Sequence, residues 1–327
     1  MSMGIHALCT RLVMAIAAAC WLLSTAPAAP AAARPTVFEQ HEGFVDTGGA
    51  MIYYKSIGSG PALMVLHGGP GSTHDYFLPY LLPLARHHRL VFIDERGSGR
   101  SQQLPPTQYT LEGMAADVEA VRTALALSKM DLLGHSFGGI LAQAVATRYP
   151  AGIRRLILSS TGSSAAFINA DFKRIPGEID PALRARIQTL EAKGIIGADG
   201  AQLPEYRKLA DQAEAPYNYS GRMPPWDTAG SGLGWEVLGQ MWGAKSDFHI
   251  DGNLRGFDFT PALKKLDIRS LIIYGDHDLV GDATARQSHE ALGNSELIKV
   301  PHSAHMTFVD QNTAYLDAVS HFLENES

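Results

Sequence analysis

Gly134-His135-Ser136-Phe137-Gly138-Gly139 is the stretch that decides the fold of this chain. It stands between an apolar run at residues 130–133 and a segment with helical spacing at residues 137–149, so it marks a strand-to-helix junction. A G-x-S-x-G sequence at such a junction predicts a nucleophile elbow, a turn too tight for side chains at the flanking glycines. The turn exposes the Ser136 hydroxyl beside a helix N-terminus, whose dipole favours developing negative charge. We therefore predict that Ser136 is a catalytic nucleophile rather than part of a merely glycine-rich turn.

Short apolar strands alternate with helical segments on both sides of this turn. Strands are predicted at residues 51–56, 62–66, 89–94, 130–133, 154–160, 270–274 and 296–300, and helices at 111–127, 137–149, 283–292 and 313–323. Such alternation indicates a mostly parallel sheet with helices on both faces. It stops at about Gly162 and resumes near residue 259. We expect one α/β core, residues 34–162 and 259–327, that carries an inserted, mostly helical cap at residues 163–258.

A serine nucleophile needs a general base that a third group orients, and after this elbow the chain order is acid, then histidine. His302 and His305 both follow the last predicted strand. Asp276, Asp278 and Asp282 follow the strand before it. Chain order limits the triad to these residues and leaves the choice among them open.

The second predicted strand is followed by His67-Gly68-Gly69-Pro70-Gly71. In proteins with such a nucleophile elbow, a loop at this position supplies half of the oxyanion hole. We predict that the backbone N–H groups of Gly69 and Phe137 hold the oxyanion. Loss of one such donor costs about 2.7–4 kcal/mol of transition-state stabilisation. His67 precedes the hole, and we expect it to be buried and structural.

A second glycine-rich stretch, residues 94–101 (DERGSGRS), lacks the G-K-[ST] ending of a phosphate loop and is predicted to be a structural turn. The sequence shows no metal-binding constellation, and we expect no cofactor. Ser136 at the elbow excludes epoxide hydrolase and dehalogenase chemistry, which use an aspartate there.

Five motifs together resemble the prolyl iminopeptidase family of α/β-hydrolases, above all its proline-iminopeptidase and tricorn-interacting-factor branches. They are HGGPG at 67–71, DxRGxGxS at 94–101, GxSxGG at 134–139, G-x-x-D at 275–278 and H-x4-D at 305–310. The likeness covers nearly all of the chain after residue 33, including residues 241–248. It implies the α/β-hydrolase fold, with Asp278 as the triad acid and His305 as the base.

The resemblance also separates the neighbouring candidates. Asp276 is expected in a turn, Asp282 at the N-cap of the next helix and His302 in a loop. One departure is that the family usually has GGSWG at the elbow, whereas residues 134–138 read GHSFG, a form shared with many esterases and lactonases.

Family members with exopeptidase activity hold the free amine of the substrate with acids of the cap. The resemblance places one such acid at Asp247, and Glu214 and Glu236 are candidates for the second. A solvated surface acid is the alternative interpretation of Asp247.

The composition is that of an ordinary globular protein, 46% hydrophobic and 18% charged, with a net charge of −6. No charged block suggests a nucleic-acid partner.

We expect hydrolysis of short peptides or amides at the N-terminal residue, proline among them, through an acyl-enzyme. An esterase or lactonase with the same triad is the alternative within catalysis, and a binding protein of the same fold is the alternative outside it. The complete candidate triad argues against the latter, and the sequence leaves the oligomeric state open.

The N-terminus predicts export. Residues 1–11 carry one positive charge and no acid, residues 12–23 are apolar, and residues 24–33 contain small residues and prolines, as in a signal peptide. The apolar run is shorter than the ~20 residues of a membrane span, so we expect cleavage and no stable membrane insertion. Cys9 and Cys20 both lie in this segment, so the mature chain would have no cysteine. Lipidation of Cys20 is a weaker alternative, because the strongly apolar residues 21–23 follow it. The expected location is periplasmic or extracellular.

Overall fold

The computed structural model describes residues 36–196, 202–221, 224 and 233–325. Two compact units divide the chain, Met1–Val37 and Phe38–Ser327. Only residues 36 and 37 of the first unit are described, so the expected signal peptide with Cys9 and Cys20 lies outside the described residues. The second unit contains the secondary structure given below.

Eight strands form one sheet. They are β1 (Gln40–Asp46), β2 (Met51–Ile57), β3 (Ala62–Leu66), β4 (Arg89–Ile93), β5 (Met130–His135), β6 (Ile153–Ser159), β7 (Arg269–Gly275) and β8 (Ser295–Val300). Their order is β1-β2-β4-β3-β5-β6-β7-β8. The pairs β1–β2 and β2–β4 are antiparallel, and the other neighbouring pairs are parallel. The mostly parallel sheet is confirmed.

The described helices are α1 (Leu111–Ala124), α2 (Phe137–Arg148), α3 (Ala165–Phe172), α4 (Ile175–Glu178), α5 (Pro181–Lys193), α6 (Pro204–Asn218), α7 (Trp235–Met241), α8 (Thr260–Leu263), α9 (Asp282–Ala291), α10 (Thr307–Asp310) and α11 (Asn312–Glu324). Helices α3 to α8 lie between β6 and β7 in the chain, so the described part of this insertion is mostly helical. Within the described ranges, no helix is both long and apolar enough to span a membrane.

The core lies on both faces of the sheet because successive strand residues point in opposite directions. In β3, Met64 and Leu66 belong to the same buried cluster as residues of α1 and α2, whereas Leu63 and Val65 belong to a cluster with α11. All four side chains are fully buried, and burial of one such side chain contributes about 1.5–3 kcal/mol. Helices on both faces are therefore confirmed, and the strand ends that carry the candidate site stand on a rigid scaffold.

Helix α9 begins one residue earlier than predicted, and this corrects the role expected for Asp282. The N-cap is Gly281, and Asp282 is the first helical residue. The Asp282 carboxylate binds the Tyr274 hydroxyl at 3.1 Å and the Lys299 ammonium at 2.9 Å. Asp171 of α3 accepts the N–H of the N-cap residue Gly281 at 2.7 Å, so an acid from the insertion anchors the start of this helix.

Candidate active site

The turn from β5 into α2 has the geometry of a nucleophile elbow. Ser136 has φ 55° and ψ −122°, a conformation that a non-glycine residue adopts only when its surroundings enforce it. A Cβ on Gly134 would lie 2.6 Å from the Gly139 nitrogen, and one on Gly138 would lie 2.5 Å from the His67 carbonyl oxygen. Neither position has room for a side chain, which explains the glycines of the motif.

Asp278 and His305 meet in the loops after β7 and β8. Nδ1 of His305 lies 2.7 Å from Oδ1 of Asp278, and both residues are buried. Asp278 also accepts the N–H groups of Val280 at 3.0 Å and Gly275 at 3.2 Å. Burial alone would raise the pKa of Asp278, but the charge and hydrogen bond of His305 hold it below its ordinary value. The structure thus pairs the acid and the histidine selected from the sequence.

His305 lies next to the elbow. Nε2 of His135 is 3.1 Å from the carbonyl oxygen of His305, and the two imidazole rings are 4.8 Å apart between centroids. The Ser136 N–H donates to the Ser159 carbonyl at the end of β6. The candidate triad is therefore gathered at the carboxyl ends of β5, β7 and β8, the edge at which open α/β sheets bind their ligands.

His302 and Asp276, the rejected neighbours, have structural contacts. The backbone N–H groups of His302 and Ser303 each donate to the Asp276 carboxylate at 3.0 Å. His302 has φ 57° and an exposed side chain. As expected, Asp276 holds a turn and His302 lies in a loop.

Asp310, the acid of the H-x4-D motif, anchors the loop that contains His305 through hydrogen bonds. Its carboxylate accepts the Ala304 N–H at 2.8 Å and the Ser220 N–H at 2.9 Å. The His305 N–H donates to the carbonyl of Tyr217 at 2.8 Å. The C-terminal end of α6 in the insertion is thereby bonded to the histidine loop.

The HGGPG loop runs alongside Ser136. A Cβ on Gly68 would lie 3.2 Å from the Cβ of Ser136. Gly69 has φ 116°, which favours glycine, and Phe137 is the first residue of α2. Both candidate oxyanion donors therefore belong to segments that flank Ser136. His67 is fully buried, as expected.

Residues 94–101 form the predicted structural turn. The Asp94 carboxylate accepts the Arg100 N–H at 2.9 Å and lies 2.7 Å from Nδ1 of His74. The Ser101 hydroxyl donates to the Asp94 carbonyl at 2.5 Å. The carboxylate and carbonyl of Asp94 thus close the turn.

Asp247 is buried, so its interpretation as a solvated acid is wrong. It is 8% exposed, and its two carboxylate oxygens accept from the Gln202 amide and, at 2.8 Å, from the Arg207 guanidinium. Burial raises the pKa of Asp247, and Arg207 only partly opposes this. Arg207 was not identified from the sequence, because a single arginine in a helix belongs to no recognisable motif.

Arg207 contacts two further acids, Asp211 and Glu214, and lies 3.6 Å from the latter. Burial raises the pKa of Glu214 to about 8, although Arg207 lowers it. Glu214 stands one turn before Tyr217 on α6, so it lies close to the segment bonded to His305. The remaining candidate, Glu236, is exposed in the first turn of α7. We call Arg207, Asp211, Glu214 and Asp247 the cap acid cluster.

Among the described residues, no group of three or more His, Cys, Asp or Glu side chains is arranged to hold a metal ion.

Known proteins resemble the chain along most of its length. The family model described as alpha/beta hydrolase fold matches residues 61–311. The proline iminopeptidase of Lactiplantibacillus plantarum is 30% identical over 282 residues, covering 84% of this chain and 97% of the relative. That of Lactobacillus helveticus is 31% identical over 294 residues, covering 86% and 97%. The crystal structure of Mycobacterium smegmatis proline iminopeptidase superposes with a TM-score of 0.75 at 22% identity, over 86% of this chain and 97% of that one, a likeness of fold.

Proposed function

We propose, because the chain belongs to the proline iminopeptidase family of α/β-hydrolases, that this hydrolase is a serine aminopeptidase. Its substrates would be short peptides or amides, from which it releases the N-terminal residue, proline among them. The observation that carries the proposal is the 2.7 Å contact between His305 and Asp278 beside the strained Ser136 elbow. A nucleophile, a base and an orienting acid are the minimum set for acyl transfer.

In the proposed mechanism, Asp278 accepts the Nδ1–H of His305, which leaves Nε2 free to take the proton of the Ser136 hydroxyl. The Ser136 oxygen attacks the substrate carbonyl, and the N–H groups of Gly69 and Phe137 stabilise the resulting oxyanion. His305 then gives its proton to the leaving amine, and an ester on Ser136 remains. A water molecule, deprotonated by His305, hydrolyses this acyl-enzyme.

The cap acid cluster is the proposed binding site for the substrate's free amine. Its three carboxylates share the guanidinium of Arg207. This group lies 2.8 Å from Asp247 and 3.6 Å from Glu214. Glu214 is therefore the better placed to receive an ammonium group, while Asp247 holds Arg207 and adds negative charge. The raised pKa of Glu214 supports this assignment. Burial disfavours the charged form of Glu214, and an ammonium group bound beside it would favour that form.

Acetylation of the substrate amine is expected to lower kcat/KM for an amino-acyl arylamide at least tenfold, or at least ~1.4 kcal/mol of transition-state binding. An N-acetyl group carries no charge and cannot replace the ammonium group beside Glu214, so the site should reject the blocked substrate. Glu214→Gln and Asp247→Asn should lower kcat/KM for the free amine and thereby shrink the ratio. Steady-state kinetics on proline p-nitroanilide and its N-acetyl derivative measure it.

Glu205→Gln is the matched control for Glu214→Gln. Glu205 lies on the same helix, is largely exposed and pairs with Arg186, so the ratio should stay at the wild-type value. Equal cleavage of blocked and free substrates, or cleavage of neutral esters alone, would refute the aminopeptidase proposal. An esterase or lactonase with the same triad would then replace it.

We also propose that the protein is exported and loses its leader. The mature chain is expected to begin between about Ala29 and Thr36 and to contain no cysteine. The intact mass of protein isolated from the native cell envelope or medium measures this. A mass that retains residues 1–28, or a lipid on Cys20, would refute the proposal.

A further inference from the structure

Both backbone groups of Gly68 are bonded by side chains that lie outside the triad. The Gly68 N–H donates to the Tyr76 hydroxyl at 2.6 Å. Nδ1 of His67 lies 2.8 Å from the Gly68 carbonyl oxygen. A carbonyl oxygen can only accept, so Nδ1 of His67 carries a hydrogen and donates it. These two bonds fix the segment that runs alongside Ser136.

The bond from His67 also sets the direction of the next N–H. The Gly68 carbonyl and the Gly69 N–H belong to one planar trans peptide, in which the two groups point in opposite directions. A carbonyl held towards His67 therefore turns the Gly69 N–H the other way. We propose that His67 and Tyr76 are positioning residues: His67 holds the Gly68–Gly69 peptide and Tyr76 holds the peptide before it, so that the Gly69 N–H can donate to the oxyanion. The inference rests on the proposed acyl-transfer function.

Glu95 holds His67 in place. Its carboxylate accepts the His67 backbone N–H at 3.1 Å and pairs with Nε2 of the same residue. Both side chains are almost completely inaccessible to solvent. Burial raises the pKa of Glu95, and Glu95 raises the pKa of His67 in spite of the burial of the imidazole. The Glu95 backbone N–H also donates to Nε2 of His67 at 3.1 Å, so the contacts with Glu95 keep the ring oriented towards Gly68.

His135 holds Tyr76 in place. Nε2 of His135 faces the carbonyl of His305 and must donate, so its Nδ1 is an acceptor for the Tyr76 hydroxyl at 2.9 Å. Burial, with His305 nearby, lowers the pKa of His135 to about 3, so the ring remains neutral and keeps this arrangement. One chain of hydrogen bonds thus connects the oxyanion loop, the elbow and the loop of the catalytic histidine.

Tyr76→Phe tests the proposal because it removes the hydroxyl and keeps the ring. We expect kcat for p-nitrophenyl acetate to fall at least tenfold while KM stays within twofold, since a misdirected donor weakens transition-state binding selectively. Affinity for an alkylboronic acid, whose tetrahedral adduct with Ser136 places an oxygen in the same hole, should fall by a similar factor. This ester needs no amine recognition, so failure of the aminopeptidase assignment would not affect the result.

Tyr109→Phe is the matched control. Tyr109 is fully buried, and its hydroxyl accepts the Leu104 N–H at 2.9 Å, so its loss should lower the Tm comparably and leave kcat unchanged. A Tyr76→Phe enzyme with wild-type kcat, or with a loss confined to KM, would overturn the proposal. Turnover by Ser136→Ala would instead refute the proposed function itself.

A second pair of variants tests His67 without leaving the Glu95 charge unpaired. In a Glu95→Gln background, His67→Asn places an N–H donor at the position of Nδ1, whereas His67→Leu does not. We expect the asparagine variant to have a kcat at least fivefold above that of the leucine variant, at a Tm within 3 °C. Equal kcat values in these two folded proteins would contradict the role of His67.

Discussion

Ser136→Ala is expected to lower kcat by about six orders of magnitude while the protein stays folded. The expected loss is this large because the hydroxyl oxygen forms the covalent bond of the acyl-enzyme, and the rest of the triad has no function without it. Alanine should adopt the elbow as serine does, because the tight approaches that shape the turn occur at Gly134 and Gly138.

Turnover of p-nitrophenyl acetate and of proline p-nitroanilide by the purified variant measures this loss. The control is thermal unfolding, for which we expect a Tm within about 2 °C of the wild type, since one hydroxyl is removed and no cavity forms in the core. A Ser136→Ala protein that keeps more than one per cent of wild-type kcat would contradict the assignment of the nucleophile.

His305→Ala is expected to lower kcat by about six orders of magnitude, and His302→Ala by less than threefold. His305 is buried against Asp278, so its loss removes the base and one hydrogen bond of a buried carboxylate. His302 is exposed, and the described bonds of this residue come from its backbone. Removal of its imidazole therefore leaves the loop anchored. Comparable losses for the two variants would show that the wrong histidine had been selected.

The two aspartates give a parallel comparison. In Asp278→Asn the amide nitrogen would donate towards Nδ1 of His305 and favour the wrong tautomer, for which we expect a loss of about 10⁴ in kcat. The N–H groups of His302 and Ser303 donate to different oxygens of Asp276, so the asparagine variant keeps one of these two bonds. We expect Asp276→Asn to cost about 1 kcal/mol of unfolding free energy and little activity. Steady-state kinetics with denaturant unfolding separates the two effects.

Local sequence patterns were sufficient for the core of the fold. The predicted strands and helices are present with bounds shifted by at most three residues, because each was a continuous apolar run or had strong helical spacing. Strand β1 was missed, since its sequence QHEGFVD is largely exposed and has no apolar run. Pairing with β2 stabilises it, and no local signal reports that contact.

The candidate site was predictable where a motif encodes backbone geometry and not where side chains meet across the fold. The elbow and the HGGPG loop follow from glycines whose positions leave no room for a Cβ. By contrast, Arg207 reaches Asp247 from 40 residues away in the sequence. Tyr76 and His135 are 59 residues apart. Such contacts depend on tertiary packing, so the burial of Asp247 and the bonds that hold Gly68 became visible only in the structure.

The most direct test of the proposed mechanism is the position at which a fluorophosphonate labels the folded enzyme. Such a reagent bonds to an activated serine, so we predict a single adduct on the tryptic peptide of residues 130–148, at Ser136, found by tandem mass spectrometry. Labelling should be absent in Ser136→Ala and much slower in His305→Ala, where the base is missing. An adduct on another residue that persists in Ser136→Ala would contradict the mechanism.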